Sequence, residues 1–381
     1  MNMTTKQEIF STHLPAYRRG SKYEKSCILD AVTAVTGLHR KTVIRRFTAL
    51  RYGRTSRSHG GRPLQFGSGV TAVLKDLWAL SGEVCAERLH PQIPEYVRVL
   101  LAGQDWPHAA ETTEKLLAMS LGTVKDRLRK FVSTSGRHHG RGATVSSPLK
   151  EIVPIRTAPW DHPAPGYGEV DTVAHCGETL RGDYAYSVQY TDVAVLWTLL
   201  SAQWNKGMVA TKESLQRMQA NCPFPLRGLD FDSGGEFINY EVIPWCRCQE
   251  PPIEVSRTRP YRKNDHGRIE QKNYANLRRF VGYHRYDRPE QVRLLNELYA
   301  VLEDFLNFFV PSVKCLGKEH RGNCIRRRYD TAQTAYHRVL ERPDIDESVK
   351  ERLQNKYATL NLRQLKTEVE RRQKRLIDSL R

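Results

Sequence analysis

The chain has 381 residues, of which 39% are hydrophobic, so it can form roughly two to four folded domains and is too apolar to be disordered throughout. Lys and Arg number 60 against 42 Asp and Glu, and the net charge of +18 favours a polyanionic partner, with nucleic acid first and a membrane surface second. No apolar run has the length of a transmembrane helix, and the eight cysteines follow no disulfide framework, so we expect a cytoplasmic protein with no membrane partner.

The first 52 residues predict a small helical unit with a Gly-containing turn between its last two helices. The helix after the turn has an apolar stripe, and Ile44 and Leu50 are expected among its inner residues. This pattern is typical of a helix-turn-helix DNA-binding domain, and a plain helical bundle is the alternative. The basic residues expected to contact DNA are Arg40, Lys41, Arg45 and Arg46.

A second helical unit, residues 68–132, repeats the arrangement with a turn at residues 120–122. Two such units in tandem favour DNA binding more strongly than one, because together they could span more than one turn of duplex. Residues 53–67 and 133–159 are rich in small and basic residues and are predicted to be linkers. The DNA contacts expected from the first linker and the second unit are Arg62, Lys125, Arg127 and Arg129.

Residues 160–310 predict a mixed α/β domain with a five-stranded sheet. The predicted strands lie at residues 168–175, 183–192, 193–203, 226–232 and 251–257. The first three would form an antiparallel meander, and helices would alternate with the other two. This is the element order of a ribonuclease-H-like domain, and a long apolar helix near residues 291–309 would pack on its sheet.

Three acidic residues stand where these elements can bring them together. Asp171 lies within the first strand, Asp232 ends the fourth, and Glu270 begins the helix after a basic, Pro-containing stretch. Converging carboxylates repel one another unless cations lie between them, and such oxygen-rich clusters hold Mg²⁺ or Mn²⁺. Two such ions can serve phosphodiester chemistry. Asp230 shares a strand face with Asp232 and is the alternative for the second position.

Two other acids of this domain have simpler explanations. Glu236 follows the turn at residues 233–235, and we expect it to cap a helix rather than to orient a ligand. Asp192 ends the second strand and either forms a turn or supports the site.

The motifs around these acids resemble the Asp-Asp-Glu transposases and retroviral-type integrases. The segments that carry the resemblance are EVDTV at 169–173, DFDSGGEF at 230–237 and RPYRKNDHGRIEQKN at 259–273. That family has its first Asp in a strand, its second before a Gly- and Glu-containing turn, and its Glu in a helix after a Pro-rich stretch. The tandem helical units resemble those of bacterial insertion-sequence transposases rather than the zinc module of retroviral integrases.

The resemblance implies a DNA transposase in which Asp171, Asp232 and Glu270 are catalytic and hold two Mg²⁺ ions, with Mn²⁺ as a substitute. A metal-activated water would nick a transposon end, and the freed 3′-hydroxyl would attack target DNA. The implied partners are double-stranded DNA, as terminal inverted repeats and target, a dimer or tetramer of the chain on that DNA, and a potential helper ATPase. A nucleoid-associated location would follow. The residues expected to hold the DNA end are Arg262, Lys263, Lys272, Asn273 and Arg278.

The remainder of the chain predicts a basic module at residues 311–345, either irregular or a small β structure, and two helices in residues 346–381. The expected fold class is therefore a multidomain α+β protein with N-terminal helix-turn-helix domains, a ribonuclease-H-like core and a basic, helical C-terminal region. Two other functions remain open. One is a DNA-binding regulator without catalysis, and the other is a ribonuclease-H-like nuclease that cuts without joining.

Overall fold

A computed structural model describes residues 3–51, 65–131, 164–231, 235–257, 273–321 and 324–380, except for the side chains at 3–5, 51 and 318–325. Within these ranges the chain is a multidomain α+β protein with a mixed five-stranded sheet and many helices, as predicted. It divides into two compact units, Met1–Gln65 and Phe66–Arg381.

None of the helices in the described part of the chain is both long enough and apolar enough to cross a membrane. Most of the two predicted linkers, 53–67 and 133–159, lies outside the described residues.

The first unit consists of three helices around a small apolar core. They are α1 (Met3–Arg19), α2 (Lys22–Thr36) and α3 (Arg40–Arg51). Ser21 and Glu24 form a reciprocal capping box that starts α2, and Gly37, with φ at 65°, ends it. In α3 only Val43 and Phe47 enter the core.

The predicted inward position of Ile44 and Leu50 is wrong, because their side chains are 37% and 42% exposed. A short helix that packs on only two neighbours buries a single narrow stripe, and both residues fall beside it.

The second unit begins with a group of helices that packs into the same core as the sheet. They are α4 (Ser68–Leu80), α5 (Ala86–Leu89), α6 (Ile93–Ala102), α7 (Ala110–Leu117) and α8 (Leu121–Phe131), with a 3₁₀ turn at His90–Gln92. Buried hydrogen bonds join this group to the C-terminal half: Tyr96 donates to the carbonyl of Phe309, and Gln92 donates to the carbonyl of Ala332 over 3.1 Å.

The central sheet has the strand order β3-β2-β1-β4-β5. Its strands are β1 (Tyr167–Ala174), β2 (Ala185–Asp192), β3 (Thr198–Trp204), β4 (Gly228–Phe231) and β5 (Glu254–Arg257). The first three form an antiparallel meander, while β4 pairs in parallel with β1 and β5 in parallel with β4. Two helices separate the later strands, α9 (Met208–Asn221) and α10 (Val242–Arg247).

The buried carboxylate of Asp192 forms the turn between β2 and β3. It accepts hydrogen bonds from the backbone N–H groups of Ala194 and Val195, both at 2.8 Å, and from that of Gly166 at 2.7 Å. Burial raises the pKa of Asp192 to about 6, although these donors favour its charged form. Because this turn includes residues that were predicted to be strand, the third strand begins at Thr198 instead of the predicted residue 193.

The C-terminal part of the chain combines helices with a two-stranded antiparallel sheet. The helices are α11 (Arg279–Val281), α12 (Pro289–Phe308), α13 (Ala335–Leu340), α14 (Glu347–Thr359) and α15 (Leu362–Asp378). The separate sheet is formed by β6 (Cys315–Arg321) and β7 (Cys324–Tyr329). Residues 311–345 therefore contain a small β structure, one of the two outcomes expected there.

Polar side chains of α12 cover the outer edge of β3. Asn307 accepts a hydrogen bond from the N–H of Thr198 and donates one to its carbonyl, both at 2.8 Å. Asn296 does the same for Ala202, at 2.8 and 3.0 Å. Each amide thus replaces the peptide group of a missing neighbouring strand, and the edge is protected from pairing with another chain.

Glu303 occupies the corresponding place between those two amides. Its Oε1 accepts a hydrogen bond from the N–H of Leu200 at 2.7 Å. Burial raises the pKa of Glu303 to about 8, so the side chain is mostly a neutral acid at neutral pH. A neutral carboxyl offers one acceptor and one donor, as the amides of Asn296 and Asn307 do.

Replacement of Glu303 by Gln should therefore preserve the hydrogen bond from Leu200 and remove the ionisable carboxyl group. In the native chain, a pKa of about 8 in the folded state against an ordinary value of 4.5 makes folding bind a proton. The free energy of unfolding should then fall as the pH rises from about 5 to about 8, by up to about 1.4 kcal/mol per pH unit. Urea unfolding at several pH values should show that Glu303→Gln lacks this decline.

Glu290→Gln is the matched control, because Glu290 lies on the same helix with its side chain 68% exposed. It should leave the pH dependence unchanged. If the free energy of unfolding changes with pH in the same way in the native chain and in Glu303→Gln, Glu303 is not a neutral acid at this edge.

Candidate active site

Asp171 lies in β1, the strand at the centre of the sheet. Its side chain is half-buried, and donors from the described residues orient it. The backbone N–H of Thr172 donates to Oδ1 over 2.8 Å, and Nδ2 of Asn273 donates to Oδ2 over 2.5 Å. Because a strand alternates its faces, Asp171 and Thr172 point to opposite sides of the sheet.

The contact from Asn273 comes from a π-helical turn, Asn273–Arg278, that is fastened to the sheet. Nδ2 of Asn276 donates to Oγ1 of Thr198 over 3.2 Å, and the guanidinium of Arg278 donates to the carbonyl of Ala174 over 2.7 Å. Oδ1 of Asn273 is buried and has no hydrogen-bond partner among the described residues. The π-helical turn is therefore bound to Asp171 at its first residue, Asn273, whose amide oxygen accepts no described hydrogen bond.

The parallel pairing of β1 with β4 sets the neighbours of Asp171. Val170 pairs with Phe231, and Glu169 pairs with Asp230. Asp230, the alternative for the second catalytic position, is fully buried, and its Oδ1 accepts a hydrogen bond from Oγ of Ser256 over 2.6 Å. Asp230 therefore lies beside Glu169 and bonds to β5, two residues before the register position of Asp171.

Glu236 is not the helix cap that the sequence suggested. The residue before α10 is Glu241, and Oδ1 of Asn239 accepts from the N–H of Val242 over 2.8 Å at the start of that helix. Glu236 is instead buried, where Oε1 accepts from Oγ1 of Thr172 at 2.9 Å and pairs with Nζ of Lys206 at 2.7 Å. Burial acts to raise the pKa of Glu236, but the charge and hydrogen bond of Lys206 outweigh it and hold the pKa below its ordinary value.

The two faces of β1 are thus bound by different segments. Asn273 holds Asp171 on one face, and Glu236 holds Thr172 on the other. Neither contact was predictable from the sequence, and Lys206 was not among the predicted site residues. The alternation of Asp171 and Thr172 along the strand was the available signal, but it does not reveal which distant residues meet them.

Of the three predicted catalytic residues, Asp171 is described, whereas Asp232 and Glu270 lie outside the described residues. Within the described ranges, no three or more His, Cys, Asp or Glu side chains are grouped so as to hold a metal ion. Among the described residues, this position offers the carboxylate of Asp171 and the amide oxygen of Asn273, which has no described partner. Carboxylate and amide oxygens are the donors that hard cations such as Mg²⁺ prefer.

The predicted DNA-contacting residues of the first unit differ in how accessible they are. Lys41 and Arg45 are exposed on α3. Arg40 is engaged within the unit, since it pairs with Asp30 and donates to Oγ of Ser26 over 2.7 Å. The guanidinium of Arg46 lies 5.4 Å from the ring centre of Phe10.

The DNA contacts predicted in residues 68–132 also differ in how accessible they are. Lys125 pairs with Glu87 at 2.8 Å, and Arg127 donates to the carbonyl of Phe66 over 2.7 Å. Arg129 has its side chain 81% exposed on α8. Arg278, described above, is held by backbone carbonyls. The expected contacts that lie outside the described residues are Arg62, Arg262, Lys263 and Lys272.

The ion pair between Lys206 and the buried Glu236 predicts that Lys206→Gln is less stable than the native chain, by an amount that depends on pH. The variant would leave the Glu236 carboxylate, 6% exposed, without its counter-charge, and we expect unfolding to become easier by about 1–3 kcal/mol at pH 7. The depressed pKa of Glu236 stabilises the native chain above the ordinary pKa of Glu, and this contribution is lost as the pH falls through the folded-state value. In urea unfolding, the difference in free energy of unfolding between the native chain and Lys206→Gln should therefore become smaller below about pH 4.

Lys212→Gln is a matched control, because Lys212 pairs with Glu241, whose side chain is 39% exposed. Its effect should stay within about 0.5 kcal/mol. Equal losses in the two variants, or a loss in Lys206→Gln that does not change with pH, would contradict the role given to the buried pair.

Comparison with known proteins gives both structural and sequence relations. No protein-family model matches the chain. A chain of the cryo-EM structure of a simian T-cell lymphotropic virus intasome in complex with PP2A regulatory subunit B56 gamma superposes with a TM-score of 0.32 and 13% sequence identity, over 65% of this chain and 75% of that one.

The sequence relation is much closer. The uncharacterized protein y4rM of Sinorhizobium fredii is 36% identical over 332 residues, which are 86% of this chain and 93% of that protein. Identity at this level over nearly the whole length of both proteins shows common descent, and the chain belongs to the same family as y4rM.

Proposed function

We propose that the chain is a DNA transposase that binds transposon ends and catalyses metal-dependent DNA cleavage and strand transfer. The observation that carries the proposal is the meeting of chain segments at Asp171. β4 lies directly beside β1, and the turn that begins at Asn273 donates a hydrogen bond to the Asp171 carboxylate. In the sequence, Asp232 immediately follows β4, and Glu270 comes three residues before Asn273.

The register of the sheet supports this reading of the acidic motif. The described pairing of β1 with β4 ends at Val170 and Phe231, and the next residues in the two segments are Asp171 and Asp232. The element order also supports a ribonuclease-H-like core, since three antiparallel strands are followed by two further strands that alternate with helices.

The residues that would hold Mg²⁺ are Asp171, Asp232 and Glu270. When bound, a pair of such ions supplies a nucleophile at neutral pH and stabilises the leaving oxygen of a phosphodiester. The chain's own contribution at this point is orientation: the N–H of Thr172 and the amide of Asn273 fix both oxygens of Asp171. A carboxylate held by two donors loses little freedom when it takes up its working geometry.

Positive charge supports DNA as the substrate. The net charge of +18 favours a polyanion, and Lys41, Arg45 and Arg129 are accessible on the two helical segments proposed as helix-turn-helix domains. Double-stranded DNA would serve both as transposon ends and as target, in an assembly of two or four copies of the chain, with a helper ATPase as a further potential partner.

The proposal predicts that Asp171→Asn, Asp232→Asn and Glu270→Gln each abolish strand transfer and leave end binding intact. Each change keeps the shape of the side chain and removes the charge that a cation needs, so we expect losses of at least about 100-fold. The assay would use DNA that flanks the coding region, with Mg²⁺ or Mn²⁺, and would resolve nicked and joined products on a gel. Asp183→Asn, at an exposed position before β2, should retain activity.

The same assay separates the proposal from its alternatives. Joining that persists in all three variants would refute the catalytic assignment. Nicked DNA without joined product from the native chain would indicate a nuclease. Tight end binding with no metal-dependent nicking would indicate a regulator without catalysis.

A further inference from the structure

Arg88, in α5, is a partly buried arginine without a counter-charge. It forms no hydrogen bond or ion pair within the described part of the chain, and its Nε is buried. Burial lowers the pKa of Arg88, and the positive charge of Arg279 acts in the same direction. A guanidinium nevertheless stays protonated in proteins, so this cation gains stability from any anion that can reach it.

Two acids of the same segment bind other cations. Glu87 pairs with Nζ of Lys125 at 2.8 Å, and Glu83 pairs with the guanidinium of Arg279 at 2.8 Å. The chain therefore supplies no described carboxylate to Arg88, and an anion from solution is the remaining source of negative charge.

Arg88 lines a small cavity between α5, the start of β3, the π-helical turn and the end of α12. The volume of this cavity, about 10 Å³, suits a single occupant of the size of a water molecule. Among the described residues that line it, none carries a carboxylate, and half are apolar. The cavity therefore combines one positive charge with a wall that offers it no neutralising group.

Ser312 and Asn276 add hydrogen-bond donors to the same cavity. Both residues are 5% exposed. The backbone N–H of Ser312 donates to the carbonyl of Gln333, but its hydroxyl forms no hydrogen bond with a described residue. The amide nitrogen of Asn276 carries two protons, and one of them binds Oγ1 of Thr198 over 3.2 Å, which leaves the other.

Size and charge together select the occupant. A water molecule would accept hydrogen bonds from these donors, but it would leave the charge of Arg88 uncompensated. Phosphate and sulfate are tetrahedral and exceed a cavity of about 10 Å³. A monatomic anion such as chloride is close to water in size and accepts several hydrogen bonds while it neutralises the guanidinium.

We propose that this cavity binds one chloride-sized monovalent anion, with Arg88 as its counter-charge and with Ser312 and Asn276 as hydrogen-bond donors. The inference goes beyond the proposed function and rests neither on DNA nor on catalysis. The bound anion would join α5 and β3 to the π-helical turn whose first residue, Asn273, binds Asp171, and it would stabilise the second unit.

The test measures how much chloride the full chain takes up on folding. Urea unfolding is followed at constant ionic strength while sodium chloride replaces sodium gluconate, whose anion is too large for the cavity. An anion that binds the folded chain alone stabilises it in proportion to its concentration over Kd. In a plot of the logarithm of the folded-to-unfolded ratio against the logarithm of chloride concentration, the native slope should therefore exceed that of Arg88→Met by about one.

Arg247→Met is the matched control, because Arg247 is an exposed arginine of α10 that forms no ion pair with a described residue. It should keep the native slope, since chloride that binds loosely to surface cations is common to all variants. Equal slopes in the native chain and in Arg88→Met would overturn the proposal. The same would follow if sulfate stabilised the native chain as chloride does.

Ser312→Ala is a second variant that keeps the charge of Arg88 and removes one donor. Its chloride Kd should rise by about 10-fold, because a hydrogen bond to a charged partner is lost. Broadening of the chlorine NMR line by each folded protein gives this Kd directly, without unfolding. A Kd for Ser312→Ala equal to that of the native chain would contradict the placement of the anion in this cavity.

Discussion

The arrangement around the central sheet depends on how one carboxylate is accommodated in the strand at its centre. Asp171 stands in β1 between Val170 and Thr172, and a partly buried carboxylate is stable only with hydrogen-bond donors or cations. One donor is local, the N–H of Thr172, and the other arrives from Asn273, which is 102 residues away in the sequence. This second donor ties the segment before α11 to the sheet.

The opposite face of β1 is stabilised by a separate buried ion pair. Glu236 accepts from Thr172 and binds Lys206, so the chain that follows β4 is fastened to the end of β3 across the sheet. The segment that contains Asp232 lies in the sequence between β4 and this anchor.

The exposed and covered edges of the protein follow one rule. Where a strand edge would be unprotected, polar side chains replace the missing partner, as Asn296, Glu303 and Asn307 do along β3. The β6–β7 ribbon is different, because it pairs with no other strand in the described part of the chain and Arg326, Arg327 and Arg328 are exposed on it. A charged edge resists pairing with another strand and at the same time attracts an anionic partner.

Alternating apolar residues were sufficient to predict the meander β1–β3 and the later strands, and helical periodicity was sufficient for α9, α12, α14 and α15. These features are local, since each depends on residues within one element. The start of β3 and the exposure of Ile44 were not predictable in this way. The first depends on the carboxylate of Asp192 binding three backbone N–H groups, and the second on which helices pack together.

The sequence by itself determined the acidic motif, the positive charge and the order of the elements. Only the tertiary structure decided that β4 lies beside β1 in parallel, that Asn273 rather than a nearer residue holds Asp171, and that Glu236 pairs with Lys206 instead of capping a helix. The physical reason is that these contacts join residues far apart in the chain. Their energies come from burial and from pairing across elements, which no local pattern encodes.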